Sequence, residues 1–189
     1  MTSGGEHGHG RLQGDPARLE WLRQAYYGLD GRWYLKLRER LGPEVAQEVD
    51  EAVCDSLGRL HLRTWLELTD RSSISDCVEL GEFVLDVLGL LYGSGELPVE
   101  VVESTPNRWV MEHLRCTIFE MGAAAGYSDA GPVPGQLPGC GGIRALYSSW
   151  ATAAGNFEVR QLARVGEDRP LACRYEFVTA EAHPKVLYV

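Results

Sequence analysis

The chain has 189 residues, 44% of them hydrophobic, with a formal net charge of −9 and a sequence pI near 5.0. That length suffices for one domain with a buried core. The acidic balance argues against nucleic acid and anionic membrane surfaces as partners, since both demand clustered Lys and Arg, and no apolar run approaches the ~20 residues that span a bilayer.

Five cysteines (Cys54, Cys77, Cys116, Cys140, Cys173) form an odd, widely spaced set without a C-x-x-C pair. A disulfide framework is therefore not expected, and a reducing cytoplasm is the expected compartment. The N-terminus lacks the basic region and apolar core of a secretory signal.

Residues 1–14 are glycine-rich and without apolar anchors, which predicts a disordered leader. Asp15 and Pro16 supply an N-cap and a first helical position. Leu19, Leu22, Tyr26 and Leu29 then form an apolar stripe at helical spacing, with Asp30 and Gly31 predicted to break it. Trp33, Leu37 and Leu41 resume the stripe until Gly42 and Pro43 end it.

A helix after Pro43 carries Val45, Val49, Val53, Leu57 and Leu60 on one face and ends near Asp70. Ser75 or Asp76 caps the next, whose buried side is Leu80, Val84, Val87, Leu88 and Leu91, with Gly93, Ser94 and Gly95 as its terminator. Beyond Leu97 and Pro98 the pattern changes to strands. Val99–Val102 form a short one, and in 108–116 the residues alternate, with Val110, Glu112, Leu114 and Cys116 on one side and Trp109, Met111 and His113 on the other.

Ile118–Ala125 reads as a short helix, followed by a Pro/Gly-rich loop that delivers Cys140. A further helix carries Ile143, Leu146, Tyr147 and Trp150. Phe157–Val165 and Leu171–Val178 complete a hairpin. Helices grouped before a β-β-α-loop-α-β-β segment predict an α+β fold: a helical part (15–95) on an α+β part (96–189), one compact domain with an antiparallel sheet.

Cys140 is the leading candidate for chemistry. It opens a helix, where backbone N–H groups and the helix dipole favour a thiolate. Gly139, Gly141 and Gly142 would admit a ligand close to the backbone. The competing reading is a small apolar residue closing a loop. Glu112 and His113, adjacent on a strand, point to opposite faces, and either is a candidate acid or base if buried; a solvated edge-strand charge is the commoner outcome for such residues.

Arg144 is a candidate anchor for a substrate carboxylate, against the reading of a plain surface charge. Tyr26, Trp33 and Trp150 are candidate ligand-contacting aromatics, against a core role. Cys116, Cys140 and Cys173, with His113 or His183, would suit tetrahedral zinc, although their spacing lacks the close pairs of structural zinc sites; no metal and no cofactor is therefore expected. Nucleotide-binding and serine-hydrolase motifs are absent.

Tyr27, Gly28, Leu29, Asp30, Gly31, Arg32, Trp33 and Tyr34, then Glu39–Gly42 and Ala46–Asp50, carry a resemblance that continues through Cys116, Cys140, Trp150 and Cys173–Phe177. Over 22–177 the chain resembles the bacterial L-2-amino-thiazoline-4-carboxylate hydrolase-like family. The resemblance implies a helical N-terminal part, a C-terminal part similar to 4-vinyl reductase domains, and ring-opening hydrolysis of a small heterocycle, with Cys116, Cys140 and Cys173 falling on the family's cysteine pattern.

The resulting expectation is a small cytoplasmic enzyme for a compact heterocyclic or carboxylate-bearing metabolite. Cys140 is its nucleophile or polarising group, Glu112 or His113 its acid/base, and Arg144, Cys116, Cys173, Trp150, Trp33 and Tyr26 its substrate contacts. The alternatives are a non-catalytic small-molecule binding module or a thiol-ligated metal protein. Apolar stripes on acidic helices are also compatible with a homodimer.

Overall fold

The computed structural model describes residues 16–115, 140–162 and 173–180. Their chain order is α1 (Pro16–Leu41), α2 (Pro43–Thr69), α3 (Cys77–Glu96), β1 (Val99–Thr105), β2 (Arg108–His113), α4 (Cys140–Ala154), β3 (Phe157–Leu162) and β4 (Arg174–Thr179). The four strands form one antiparallel sheet in the order β1-β2-β4-β3. Grouped helices on an antiparallel sheet make this an α+β fold, as the element order predicts. The expected short helix at 118–125, the leader, Cys116 and His183 lie outside the described residues.

The turn between α1 and α2, the end of α2 and the start of α3 each have a local cause. Gly42 adopts φ 90, a left-handed conformation that favours glycine, and Pro43 follows at the first turn of α2. Asp70, at φ 53, closes α2 with its N–H on the Leu66 carbonyl. Asp76 caps α3, its Oδ1 accepting from the N–H groups of Val78 and Glu79 at 2.9 Å each, while Glu79 reaches back to the Ser75 N–H at 2.8 Å.

α3 and α4 cover one face of the sheet, α2 lies against α4, and α1 is outermost, packed mainly on α2. The core between the layers centres on Phe83, Tyr147, Trp150 and Phe177, each fully buried. Phe83 meets Trp150 edge-to-face at 5.3 Å between ring centroids, and Trp109 meets Phe177 at 5.6 Å. Burial of each such side chain contributes about 1.5–3 kcal/mol.

Close contacts between layers run through glycines. A Cβ on Gly81 would fall 2.4 Å from the Trp109 indole nitrogen, so only glycine lets α3 settle on β2 at this depth. A Cβ on Gly58 would lie 2.5 Å from Ser149, at the α2–α4 crossing.

Three local expectations are corrected. Asp30 and Gly31 do not break α1, which runs unbroken through both; one interior glycine costs only about 1 kcal/mol, which a 26-residue helix absorbs. Gly93, Ser94 and Gly95 likewise stay inside α3, which ends at Glu96.

The third concerns the stripes. Leu22, Leu29, Trp33 and Leu41 on α1, and Val45, Val53 and Leu60 on α2, are exposed rather than core. The α2 residues that turn inward are Ala46, Asp50, Gly58, Leu62 and Trp65, because the small side chains at 46 and 58 admit a neighbour that the valine face would hold off.

Candidate functional site

The antiparallel register brings one end of the sheet and Tyr147 of α4 together. β2 runs parallel to β3, and α4 ends three residues before β3 begins. Tyr147, two turns into α4, therefore reaches the end of β2, while the first turn of α4 meets α2. His113 closes β2 there, and its backbone N–H donates to the Cys173 carbonyl at 2.9 Å. That bond extends the pairing of Glu112 with Arg174 by one residue. His113 and Cys173 are thus cross-strand neighbours on one face, with Cβ atoms about 5 Å apart.

They share that face with Met111 and Tyr175, then Trp109 and Phe177. His113 is buried and Cys173 half-buried.

From α4, the Tyr147 hydroxyl lies 2.8 Å from His113 Nε2. The two rings are nearly parallel, 6° apart, with centroids 5.9 Å apart, and Tyr175 stands edge-on to both. His113 Nδ1 is buried without a hydrogen-bond partner among the described residues. Either the Nδ1 proton or the Nδ1 lone pair is therefore unsatisfied, depending on which nitrogen shares the Tyr147 hydroxyl. Burial pushes the imidazole down to about 4, so it is neutral at pH 7.

Glu112 takes the opposite face. Its carboxylate accepts from Arg174 Nε at 2.6 Å, within a lattice of ion pairs that also joins Arg108 to Glu103 and Glu176. Glu112 and Glu176 are buried beneath these guanidiniums. Neither Glu112 nor His113 is a solvated edge charge, and the two do not share a site.

At the first turn of α4, Gly141 and Gly142 meet α2. A Cβ on Gly142 would fall 2.3 Å from Asp50 Oδ2 and 3.1 Å from Cys54 Sγ; one on Gly141 would fall 2.4 Å from Glu51 Oε1. Asp50 is buried here. The positive end of the α4 dipole is therefore complemented by carboxylates of the neighbouring helix, which oppose a thiolate at the same place. Cys140 opens this turn, seven residues before Tyr147. Arg144 is exposed and sits 3.8 Å from Glu51.

Trp150 stands in the middle of the core, its ring 6.1 Å from that of His61; among the described residues neither its buried indole nitrogen nor His61 Nδ1 has a partner. Tyr26 and Trp33 lie on α1, away from the contact between α4 and the sheet, with Trp33 half exposed. Tyr147 and Tyr175 are the site residues that sequence reasoning left out. Tyr175 was recoverable, since alternation puts it beside Cys173; Tyr147 reaches His113 across 34 positions and leaves no local signal.

A surface groove of about 660 Å³ between α2 and the end of α4 involves Arg59, Arg63 and Arg71. Arg59 is held by Asp55, and Arg71 by Glu79 and Glu82, so two of these three guanidiniums are already paired. Among the described residues no group of three His, Cys, Asp or Glu side chains is placed to hold a metal, and no helix is long and apolar enough to cross a membrane. No family model and no curated protein matches the chain.

Proposed function

We propose that the chain is a small cytoplasmic enzyme that acts on a compact heterocyclic or carboxylate-bearing metabolite, opening a ring by adding water, at the sheet end where His113, Tyr147 and Cys173 meet. The observation that carries this reading is the buried imidazole. Tyr147 holds its Nε2 at 2.8 Å, and its Nδ1 has no partner among the described residues. An unsatisfied buried nitrogen costs roughly 1–3 kcal/mol, which a substrate hydrogen bond would recover.

In this reading the neutral imidazole accepts a proton from the attacking water as the new C–O bond forms. It returns the proton to the ring heteroatom as the C–N or C–S bond breaks, so no net proton is consumed. A base held near 4 does not retain a proton at pH 7 and takes one only in the transition state.

Cys173, beside it, and Cys140, at the helix start, are the thiols offered to the reaction, and Arg144 is the residue offered to a substrate carboxylate. Support for a reducing setting comes from the odd, scattered cysteines.

The test is hydrolysis of a panel of cyclic amidine and thiazoline carboxylates, followed by mass spectrometry for addition of one water. His113→Phe should reduce turnover at least a hundredfold, and Cys140→Ala or Cys173→Ala should identify the thiol involved. Turnover that survives His113→Phe would sink the assignment.

A second reading, a binding module without chemistry, is favoured by the aromatic enclosure of His113 between Tyr147 and Tyr175. It predicts saturable binding of the same compounds with no product.

A further inference from the structure

The thiols of this chain sit in unlike surroundings. Cys54 lies beside the Asp50 carboxylate where α2 meets Gly142. Cys77 is fully buried, its thiol pushed up to about 11 mainly by burial. A neighbouring carboxylate and burial both disfavour a thiolate. Cys173 is half-buried, is not disulfide-bonded and packs one side against the core. The glutamates of the four strands, Glu100, Glu103, Glu112, Glu158 and Glu176, fall on the other face of the sheet.

His113, the cross-strand neighbour of Cys173, is 3% exposed. Its backbone N–H donates to the Cys173 carbonyl at 2.9 Å, which keeps the two side chains on one face with Cβ atoms about 5 Å apart. Tyr147 occupies Nε2, and Nδ1 has no partner among the described residues. Nδ1 is also the ring nitrogen nearer the backbone, the one a side chain as short as cysteine can reach. A rotation about the Cys173 Cα–Cβ bond is enough to bring Sγ onto it. A thiol, a base within its reach and a third group holding that base by its other nitrogen together form the arrangement that activates nucleophiles.

We propose that Cys173 is a covalent nucleophile whose proton passes to His113 Nδ1, and that it attacks an acyl-type carbon bearing a heteroatom leaving group, such as the ring carbon of a cyclic amidine or thioimidate. The proposal rests on reading this sheet end as a hydrolytic site, and it sets a covalent step ahead of the water step.

The Sγ–H bond breaks, its proton going to Nδ1, and the sulfur electron pair forms the S–C bond. The ring C–N or C–S bond then breaks, its pair going to the departing heteroatom, which takes the proton from Nδ1. Water adds to the thioimidate or thioester carbon and gives its proton to Nδ1. The S–C bond breaks last, with the pair and the proton returning to Sγ. The sum is substrate plus one water, without an oxidant or reductant. Burial leaves His113 neutral at pH 7 and too weak a base to hold the proton at rest, so Cys173 stays a thiol until the S–C bond forms.

Acetylation of the full chain by p-nitrophenyl acetate tests this, with the modified residue and its rate read by peptide mass spectrometry between pH 5 and 8. The acetyl group should fall on Cys173, at a rate nearly level across that range because the base is neutral throughout. In His113→Phe the rate at pH 6 should drop at least tenfold, and it should climb about tenfold per pH unit, as the thiolate fraction does. His113→Gln, closer in polarity, should give the same profile, so a folding defect in one variant does not decide the matter.

Acetyl groups confined to other residues overturn the proposal. So does a wild-type Cys173 rate that climbs with pH as steeply as in the His113 variants. His113-dependent acetylation of Cys173 with no water added to any cyclic amidine upholds the nucleophile and removes the ring-opening reading. Ring opening undiminished in Cys173→Ala does the reverse.

Discussion

His113 sits where a titratable group has the most to lose. Its imidazole titrates near 6.5 in an unfolded chain and is pushed down to about 4 by burial. Between those values the unfolded chain binds a proton that the folded chain refuses, so stability rises with pH across the window and is complete above it. A shift of that size corresponds to about 3 kcal/mol.

Urea unfolding at pH 4.5 and 7.5 should show the folded state weakening on the acid side, and His113→Phe should flatten the difference. His61, also lowered by burial, contributes in the same direction, so the comparison must be with the wild-type slope rather than with zero. Tyr147→Phe removes the partner of Nε2 and should cost about 1–2 kcal/mol, read as a lower urea midpoint at pH 7.5. Cys77, raised to about 11 mainly by burial, should stay unmodified by iodoacetamide at pH 8 until the chain unfolds.

Elements show which residue patterns were legible. Strand alternation separated Glu112 from His113 correctly, because a period of two is fixed by the pleat. It could not say that Arg174 would neutralise the one and Tyr147 hold the other, since both partners come from distant segments. Gly141 and Gly142 looked like room for a ligand; the room is taken by Asp50, Glu51 and Gln47 of α2. The absence of a Cβ says that something approaches closely, not what it is.

On α2 the valine stripe was the stronger pattern, yet the core selected the face with Ala46 and Gly58. Gly58→Ala tests that choice. Alanine would gain about 1 kcal/mol in helix propensity, but its Cβ would meet Ser149 and the Leu146 carbonyl. The overpacking cost of about 1–3 kcal/mol should prevail and lower the melting temperature. The same substitution at exposed Gly89, where nothing lies within 4 Å, should raise it.

At the scale of the molecule, the α+β class and the element order followed from the sequence, because long periodic helices and alternating strands are local properties. The layering did not. Which helix covers the sheet depends on contacts such as Gly81 with Trp109 and Tyr147 with His113, 28 and 34 positions apart, and no spacing rule reaches that far.

The arrangement of tryptophans carries one more consequence. Trp65, Trp109 and Trp150 are shut in the core, whereas Trp21 and Trp33, at 66% and 50% exposure, both ride on α1. Emission from this chain should divide into a blue, collisionally protected component from the interior and a red component that iodide quenches from α1 alone. One cuvette would report outer helix and core separately, without a label.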